Sequence, residues 1–206
     1  MRMPALTRTA GRRILGQRAL QTRQQLVDAT IESLATNSYR NVTVMRIARA
    51  AGTSPATFYE YFESVDEVVL DAVEPLADKT AEQLADFVDG SWSSEGLFGA
   101  SRFVDAVLHA WSDHRVVMRI LTAGAAEDDP RFVLAYRVVT QSVFRALMSA
   151  AEPGMPPAEL AHNLVTALAA AAGHKGAASI DSYEKWARRE ALAHIVYASV
   201  TSTATY

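Results

Sequence analysis

The sequence predicts an all-α protein in which a small N-terminal module precedes a larger helical body. Apolar residues recur at helical spacing from about residue 18 almost to the end, as Val27, Ile31 and Leu34 do. No segment alternates convincingly between apolar and polar residues as a strand does. The breaks between segments are short and contain the Gly, Pro and Ser residues that begin or end helices. These three observations together favour helices packed on helices.

Composition limits the classes to which the protein can belong. Its 206 residues are 50% hydrophobic and 21% charged, which is typical of a soluble globular chain, and they include no cysteine. Disulfides and thiolate metal sites are therefore excluded, and a cytoplasmic location is expected. The longest apolar stretch, around residues 164–172, is too short to span a bilayer, so no membrane partner is expected.

Charge is unevenly distributed, although the formal net charge is only −3. Residues 1–62 contain nine arginines and three acids, which gives this part +6 and leaves −9 on the remainder. Residues 1–17 show no sustained periodicity and are expected to form a flexible basic arm. A basic end on an acidic body indicates either a polyanionic partner or a solvated tail without a partner.

Residues 18–64 predict three helices, of which the last two are joined by a tight turn. Thr43 is a suitable N-cap for a short helix that ends before Gly52, a residue able to take positive φ. Ser54 is the next N-cap and Pro55 the first helical residue. Two short helices around such a turn form a helix-turn-helix, whose second helix lies in the major groove of double-stranded DNA.

The stretch TSPATFYEYF, residues 53–62, concentrates four aromatic side chains in its second half. Phe58 and Phe62 are four residues apart and predict a small core under the second helix of the pair. Tyr59 falls on another face, where its hydroxyl can donate to a phosphate oxygen. The residues predicted to contact DNA are Thr43, Arg46, Thr53, Ser54, Pro55, Ala56, Thr57, Tyr59 and Tyr61.

The segment TVMRIARAAGTSPATFYEYFESVDEVV, residues 43–69, resembles the DNA-binding signature of TetR-type transcriptional repressors. The resemblance implies a homodimer that binds a pseudo-palindromic operator and leaves it when a small molecule enters the C-terminal domain. By motif position it marks Thr43, Thr57 and Tyr59 as phosphate contacts. The positions that carry the resemblance are Thr43, Ile47, Ala48, Ala51, Gly52, Ser54, Thr57, Phe58, Tyr59 and Phe62.

Two positions depart from that signature. Val65 stands where the family usually has a lysine, so the arginine-rich arm is expected to replace a phosphate contact. Glu60 is acidic where the family often has a basic or neutral residue. It either accepts from a cytosine amino group or points to solvent.

The body, residues 65–206, is expected to bind a ligand and to form the dimer. A connecting helix from Ser64 to about Val88 is predicted, followed by a loop at 90–96. Further helices are predicted at about 97–112, 115–126, 130–151, 157–173 and 183–202. The segment 103–121 is apolar on more than one face, which indicates a central helix.

A small hydrophobic effector, acyl or polycyclic, would suit the aromatic and aliphatic faces of this body. Plain core packing explains the same pattern, and the sequence leaves both interpretations open. His109 and His174 are further polar candidates to orient a ligand. The residues proposed to line the cavity are Phe103, Val107, Trp111, Met118, Tyr136, Val139, Gln141 and Asn163.

Two apolar stripes on the last two helices are candidates for the dimer interface. Two helices from each protomer would form an isologous four-helix interface. The alternative is that these faces are buried within one chain. The stripes comprise Leu160, Leu164, Leu168, Leu192, Ile195 and Val196.

An enzyme is not expected, and neither a catalytic residue, a metal nor a cofactor is assigned. The five histidines lack metal-ligand spacing, and neither a glycine-rich phosphate loop nor a nucleophile motif is present. Two alternatives to a ligand-responsive regulator stay open: an architectural DNA-binding protein without an effector, and a helical enzyme. The size of the body argues against the first, because DNA binding alone needs only the first third of the chain.

Overall fold

The structure is a computed structural model that describes residues 16–151, 157–173 and 182–201. Every regular element in these ranges is helical, as the sequence predicts, and they contain no strand. Within the same ranges, no helix combines the length and the apolar character that a membrane crossing requires. The predicted basic arm lies outside the described residues except for its last two positions, and so does His174.

The described chain separates into two compact units, divided after Val73. The first unit encloses a small core in which Leu26, Ile47, Phe58 and Val68 are fully buried. Its helices are α1 (Gln17–Thr36), α2 (Val44–Ala50), α3 (Pro55–Tyr61) and α4 (Val65–Asp71), with a 3-10 turn at Tyr39–Asn41.

The division follows Val73 rather than residue 64, where the sequence analysis placed the domain boundary. The reason is that α4 packs on α1. Val68 joins the core of the first unit. On the same pair of helices, the Arg23 guanidinium forms a salt bridge with the Asp71 carboxylate and lies 4.9 Å from the centroid of the Phe62 ring.

Three hydroxyl side chains begin the helices of the first unit at the positions that the sequence predicts. The Thr43 and Ser54 side chains accept from the third residue of α2 and α3, with Ser54 Oγ 3.1 Å from the Thr57 nitrogen. Ser64 accepts from the Glu67 amide at 3.3 Å, and the Glu67 carboxylate accepts from the Glu63 amide in return. These caps satisfy amides that a helix start would otherwise leave unpaired.

The second unit surrounds a central helix, α6 (Gly96–Ser112), which packs against α7 (Arg115–Ala126), α9 (Pro157–Gly173) and α10 (Ser182–Thr201). Phe103, Val107 and Trp111 of α6 are fully buried, in agreement with a helix that is apolar on several faces. The other helices of this unit are α5 (Val73–Gln83) and α8 (Pro130–Ala150).

Two predictions for residues 64–96 are wrong. The connecting helix is not continuous, because α4 ends at Asp71 and α5 begins at Val73. Between them, the amide of the C-cap residue Ala72 bonds to the Val69 carbonyl three residues back. The predicted loop at 90–96 is largely a 3-10 helix, Ser91–Glu95. Its Trp92 is 1% exposed and stacks on Phe103 with 4.6 Å between ring centroids.

Candidate functional site

The turn between α2 and α3 aims the start of α3 toward solvent. Gly52 has a φ of 67°, a conformation that most L-residues avoid, and the Thr53 amide then bonds to the Ala48 carbonyl at 2.8 Å. The turn fixes the angle between the two helices, which contact each other, and α2 also contacts α1. This is the geometry of a helix-turn-helix.

One face of α3 is exposed, and the opposite face is buried. Ser54, Pro55, Ala56 and Tyr59 are all exposed, and Tyr59 retains 59% of its accessible surface. Because they occupy the first turns of the helix, they form a compact surface of two hydroxyls, an apolar ring and a methyl group. Such a surface can contact phosphates and the edges of bases in a major groove.

Other predicted DNA-contacting residues have internal partners. Thr57 is half-buried, and its hydroxyl lies 3.1 Å from Ser54 Oγ. Thr53 is also half-buried, and Tyr61 packs beside the core of the first unit rather than on the exposed face. The Arg46 guanidinium donates to the Asn41 carbonyl at 3.2 Å and to Asn37 Oδ1 at 3.3 Å, although the residue as a whole stays exposed.

Val65 occupies the position at which the signature usually has a lysine. Val65 is half-buried and packs against the core of the first unit. Residues 16–73 carry no net positive charge, since they contain five arginines and seven acids, a net charge of −2. Residues 1–15 add four arginines and no acid. Four of the nine arginines of residues 1–62 therefore precede α1, where no acid offsets them.

The second unit contains a cleft of about 910 Å³ formed by α7, α8 and α9 and by the turn between α7 and α8. This volume is within the range of sites for small organic molecules. Its walls combine apolar side chains such as Val133 and Phe144 with hydroxyls and amides. Three of the residues proposed from the sequence, Tyr136, Gln141 and Asn163, line it.

The hydroxyl of Tyr136 is buried, and none of the described residues forms a hydrogen bond with it. Burial raises the pKa of Tyr136, while the neighbouring Thr166 side chain opposes that shift. Thr166 directs its own proton to the His162 carbonyl at 3.0 Å. A buried donor without a partner is costly, and in a cleft it indicates a group that a ligand can satisfy.

The other proposed cavity residues belong to the core. Phe103, Val107, Trp111, Met118 and Val139 are all fully buried, and none of them lines the cleft of α7, α8 and α9. These five residues therefore pack in the core, which is the alternative to ligand binding that the sequence leaves open.

Of the residues in the two apolar stripes predicted to form the dimer interface, some are buried within the chain and others are accessible. Leu164, Leu168, Leu192 and Val196 are buried within the single chain, as the alternative predicts. Leu160 is half-buried, and Ile195 is 51% exposed. The assignment to a dimer interface therefore stays a prediction for Leu160 and Ile195.

Two family profiles match the chain. The profile described as bacterial regulatory proteins, tetR family, matches residues 26–72, and the one described as tetracyclin repressor-like, C-terminal domain, matches residues 81–205, more than half of the chain. The chain belongs to the TetR family. It is therefore a DNA-binding transcriptional regulator and not an enzyme.

Relatives of known sequence align with less than half of this TetR-family chain. An uncharacterised HTH-type transcriptional regulator of Haemophilus influenzae is 41% identical over 63 residues, 29% of this chain and 31% of that protein. The HTH-type transcriptional regulator BetI of Brucella anthropi is 28% identical over 97 residues, 43% of this chain and 50% of that protein. The aligned segments thus span half or less of the length of these relatives.

Solved structures share the fold over nearly the whole TetR-family chain at low identity. GusR of Salmonella enterica has a TM-score of 0.65 at 14% identity, covering 92% of this chain and 100% of that one. The fatty acid degradation regulator FadR of Bacillus halodurans has a TM-score of 0.63 at 14% identity, covering 90% and 97%. SmeT, the repressor of a multidrug efflux pump of Stenotrophomonas maltophilia, has a TM-score of 0.59 at 16% identity, covering 90% and 95%.

Sequence reasoning missed most of the cleft of this TetR-family protein. A search for apolar stripes selects side chains that point at neighbouring helices, whereas the cleft is lined largely by polar or small residues. The residues missed include Thr122, Ala125, Asp128, Val133, Arg137, Thr140, Phe144, Glu159, His162 and Thr166. The helical i, i+4 spacing of Tyr136, Thr140 and Phe144 was the available signal.

Proposed function

We propose that this TetR-family regulator is a cytoplasmic repressor that binds a pseudo-palindromic operator as a homodimer and is released by a small molecule. The observation that carries the proposal is the exposed face of α3, where Pro55, Ala56 and Tyr59 stand free of the core after the Gly52 turn. A recognition helix uses its N-terminal residues in this way. SmeT, which shares the fold, is named as a repressor, which supports the same direction of control.

In the proposed complex, Thr43, Ser54, Thr57 and Tyr59 contact phosphates, and Pro55 and Ala56 meet the edges of bases. Their apolar ring and methyl group suit the methyl group of thymine. Arg46 and the arginines before α1 supply the positive charge that faces the DNA backbone, because residues 16–73 as a whole contain more acids than arginines. Phosphate contacts of this kind give affinity and register, whereas base contacts give specificity.

The effector is assigned to the cleft of α7, α8 and α9, with Tyr136, Gln141 and Asn163 among its contacts. A ligand that prefers one of two conformations shifts the population toward it, so an effector bound in the cleft lowers operator affinity if it prefers the conformation that binds DNA poorly. The homodimer is assigned to the sides of α9 and α10 that lie outside the cleft, at the half-buried Leu160 of α9 and at Ile195, an uncovered apolar residue of α10.

Fluorescence anisotropy tests the proposal, with purified protein, DNA from upstream of its own gene and a scrambled duplex of equal length. We expect tight binding to the first duplex with two or four chains per site, and weak, salt-sensitive binding to the second. Equal weak binding to both duplexes would contradict the operator and favour an architectural DNA-binding protein.

A further inference from the structure

The interior of the effector cleft contains an unused hydrogen-bond donor. Three threonine hydroxyls on its walls, those of Thr122, Thr140 and Thr166, each donate to a carbonyl one turn earlier on their own helix, at 2.8, 2.7 and 3.0 Å. Their protons are therefore occupied and only their lone pairs are available. The Tyr136 hydroxyl differs, because it is buried and has no partner among the described residues.

The acidic and basic residues that line the cleft lie at its solvent edge. Asp128, Arg137, Glu159 and His162 are all exposed, whereas Thr140 and Val165 beneath them are buried. The carboxylates and the guanidinium at this edge are of mixed sign, so they do not select strongly for a charged ligand. Deeper in the cleft, an ionised group would lose its hydration without meeting a partner of opposite charge, which is unfavourable.

We propose that the effector carries an uncharged hydrogen-bond acceptor, a ketone or ester carbonyl oxygen, on an apolar skeleton, and that this oxygen accepts from the Tyr136 hydroxyl. The proposal rests on the proposed function, since it names the chemistry of the molecule for the same cleft. Val133, Phe144 and Val165 contact the skeleton. Because the Tyr136 hydroxyl is buried, the proposal requires the exposed Thr166 side chain beside it to move aside when the ligand binds.

A pure hydrocarbon would leave the hydroxyl unpaired, and a carboxylate would have to be desolvated beside it. Burial holds the Tyr136 proton in place, because it raises the pKa of the phenol, so the group stays a donor at neutral pH. The arrangement resembles sites in which a few polar groups orient a mainly apolar ligand. The carbonyl therefore determines the orientation, and the skeleton provides most of the contact area.

Matched pairs of a ketone and its hydrocarbon test this chemistry on the full chain. We would measure dissociation constants for acetophenone against ethylbenzene, benzophenone against diphenylmethane, and anthrone against 9,10-dihydroanthracene. Each measurement would use the wild type, Tyr136→Phe and the control Tyr197→Phe, which alters a tyrosine of α10 that does not line the cleft. The infrared stretch of the bound ketone carbonyl gives a second readout, because a hydrogen bond lowers its frequency.

We expect at least one ketone to bind about tenfold more tightly than its hydrocarbon to the wild type and to Tyr197→Phe, the gain from one buried hydrogen bond. In Tyr136→Phe the two members of the pair should bind equally, and the carbonyl stretch should return toward its value in an apolar solvent. The proposal is overturned if no pair binds, if ketone and hydrocarbon bind equally to the wild type, or if the ketone preference survives in Tyr136→Phe. An unshifted carbonyl stretch in the wild type overturns it even if Tyr136→Phe fails to fold.

The proposed function is tested by a separate measurement, the binding of operator DNA. Operator binding by anisotropy without any ketone preference would overturn only the effector chemistry. Ketone binding through Tyr136 by a protein that does not distinguish operator from scrambled DNA would overturn only the operator.

Discussion

The indole Nε1 of Trp111 donates to the hydroxyl of Thr80 at 3.1 Å, and both residues are completely buried. Thr80 in turn donates to the Leu76 carbonyl at 2.7 Å, so the three groups form a chain of hydrogen bonds from α6 into α5. Beside it at the surface, Lys79 forms a salt bridge with Asp113 at 2.9 Å. This pair of contacts fixes α5 to the central helix of the second unit.

Replacing Thr80 by Val should destabilise the protein by about 1–3 kcal/mol, because the indole N–H would remain buried without an acceptor. Urea unfolding followed by circular dichroism measures the change. Thr80→Ser is the matched control, since it keeps the hydroxyl and should cost less than Thr80→Val. Equal losses in the two variants would mean that the hydroxyl contributes no more than the methyl group, which would contradict a dominant role for the hydrogen bond.

Tyr59→Phe and Thr57→Ala should each weaken binding to operator and scrambled DNA by a similar factor, of the order of 2- to 10-fold, because each removes a phosphate contact. Anisotropy titrations at one fixed salt concentration measure both affinities. Tyr39→Phe is a suitable control, as it removes an exposed hydroxyl outside α3. Unchanged affinity in both α3 variants would mean that α3 does not lie in the groove as proposed.

Removal of residues 1–15 should flatten the dependence of DNA affinity on salt. These residues contain Arg2, Arg8, Arg12 and Arg13, so the slope of log K against log salt concentration should fall by up to about 4. A full-length variant with the four arginines changed to glutamine should give the same result, which separates charge from chain length. A slope that does not change in either protein would exclude these arginines from the interface.

Gly52→Ala should reduce stability by about 1–2 kcal/mol, because the residue has a φ of 67° and an alanine is strained there. A Cβ atom at this position meets no heavy atom within 4 Å, so strain and not a clash is the cause. Gly52→Asn should cost less, since asparagine tolerates this region better. Thermal unfolding of the two variants ranks them, and the reverse order would contradict this explanation.

Stability should decline as pH falls through the range in which His114 titrates. Burial, with a further contribution from the positive charge of Lys79, lowers the pKa of His114, while Asp113 opposes the shift. The unfolded chain, with a histidine pKa of about 6.5, then binds more protons than the folded chain. The stabilisation is fully present above pH 6.5 and is lost as the pH falls through the folded pKa. Denaturation of His114→Gln between pH 7.5 and 5 should show a flatter dependence than the wild type.

The helix caps and the turn of the first unit could be predicted from local sequence. The features that were not predicted depend on tertiary packing. Thr43, Ser54 and Ser64 cap their helices and Gly52 makes the turn because each feature depends on residues within one turn of the chain. Ala72 has no sequence signal for a helix end. Trp92 lies between glycines and serines that indicate a loop, and its burial depends on distant residues. Gly90 and Gly99 allow this packing, because a Cβ on either would meet backbone atoms of Ser149 or Trp92 at about 2 Å.

The candidate site also has one part that local sequence rules predict and one part that depends on tertiary packing. The exposed start of α3 could be placed from spacing and caps alone. The cleft could not, because apolar periodicity identifies buried side chains without showing whether a helix or a ligand covers them. Met118 and Tyr136 look alike in this respect, yet Met118 is core and Tyr136 lines the cleft. The unpartnered hydroxyl that distinguishes Tyr136 appears only in three dimensions.

The excess of acid in residues 16–73 has a consequence for how the regulator can evolve. In the proposed complex, sequence-independent attraction to DNA comes from the arginines before α1 together with the phosphate contacts of α3, whereas discrimination among sequences comes from Pro55 and Ala56. Substitutions in the first segment can adjust how long the protein remains on the chromosome, and so the depth of repression, while the set of recognised promoters stays the same. Substitutions at Pro55 or Ala56 can move the protein to new promoters and keep its residence time. Two traits of a regulatory circuit are thus open to selection independently of each other.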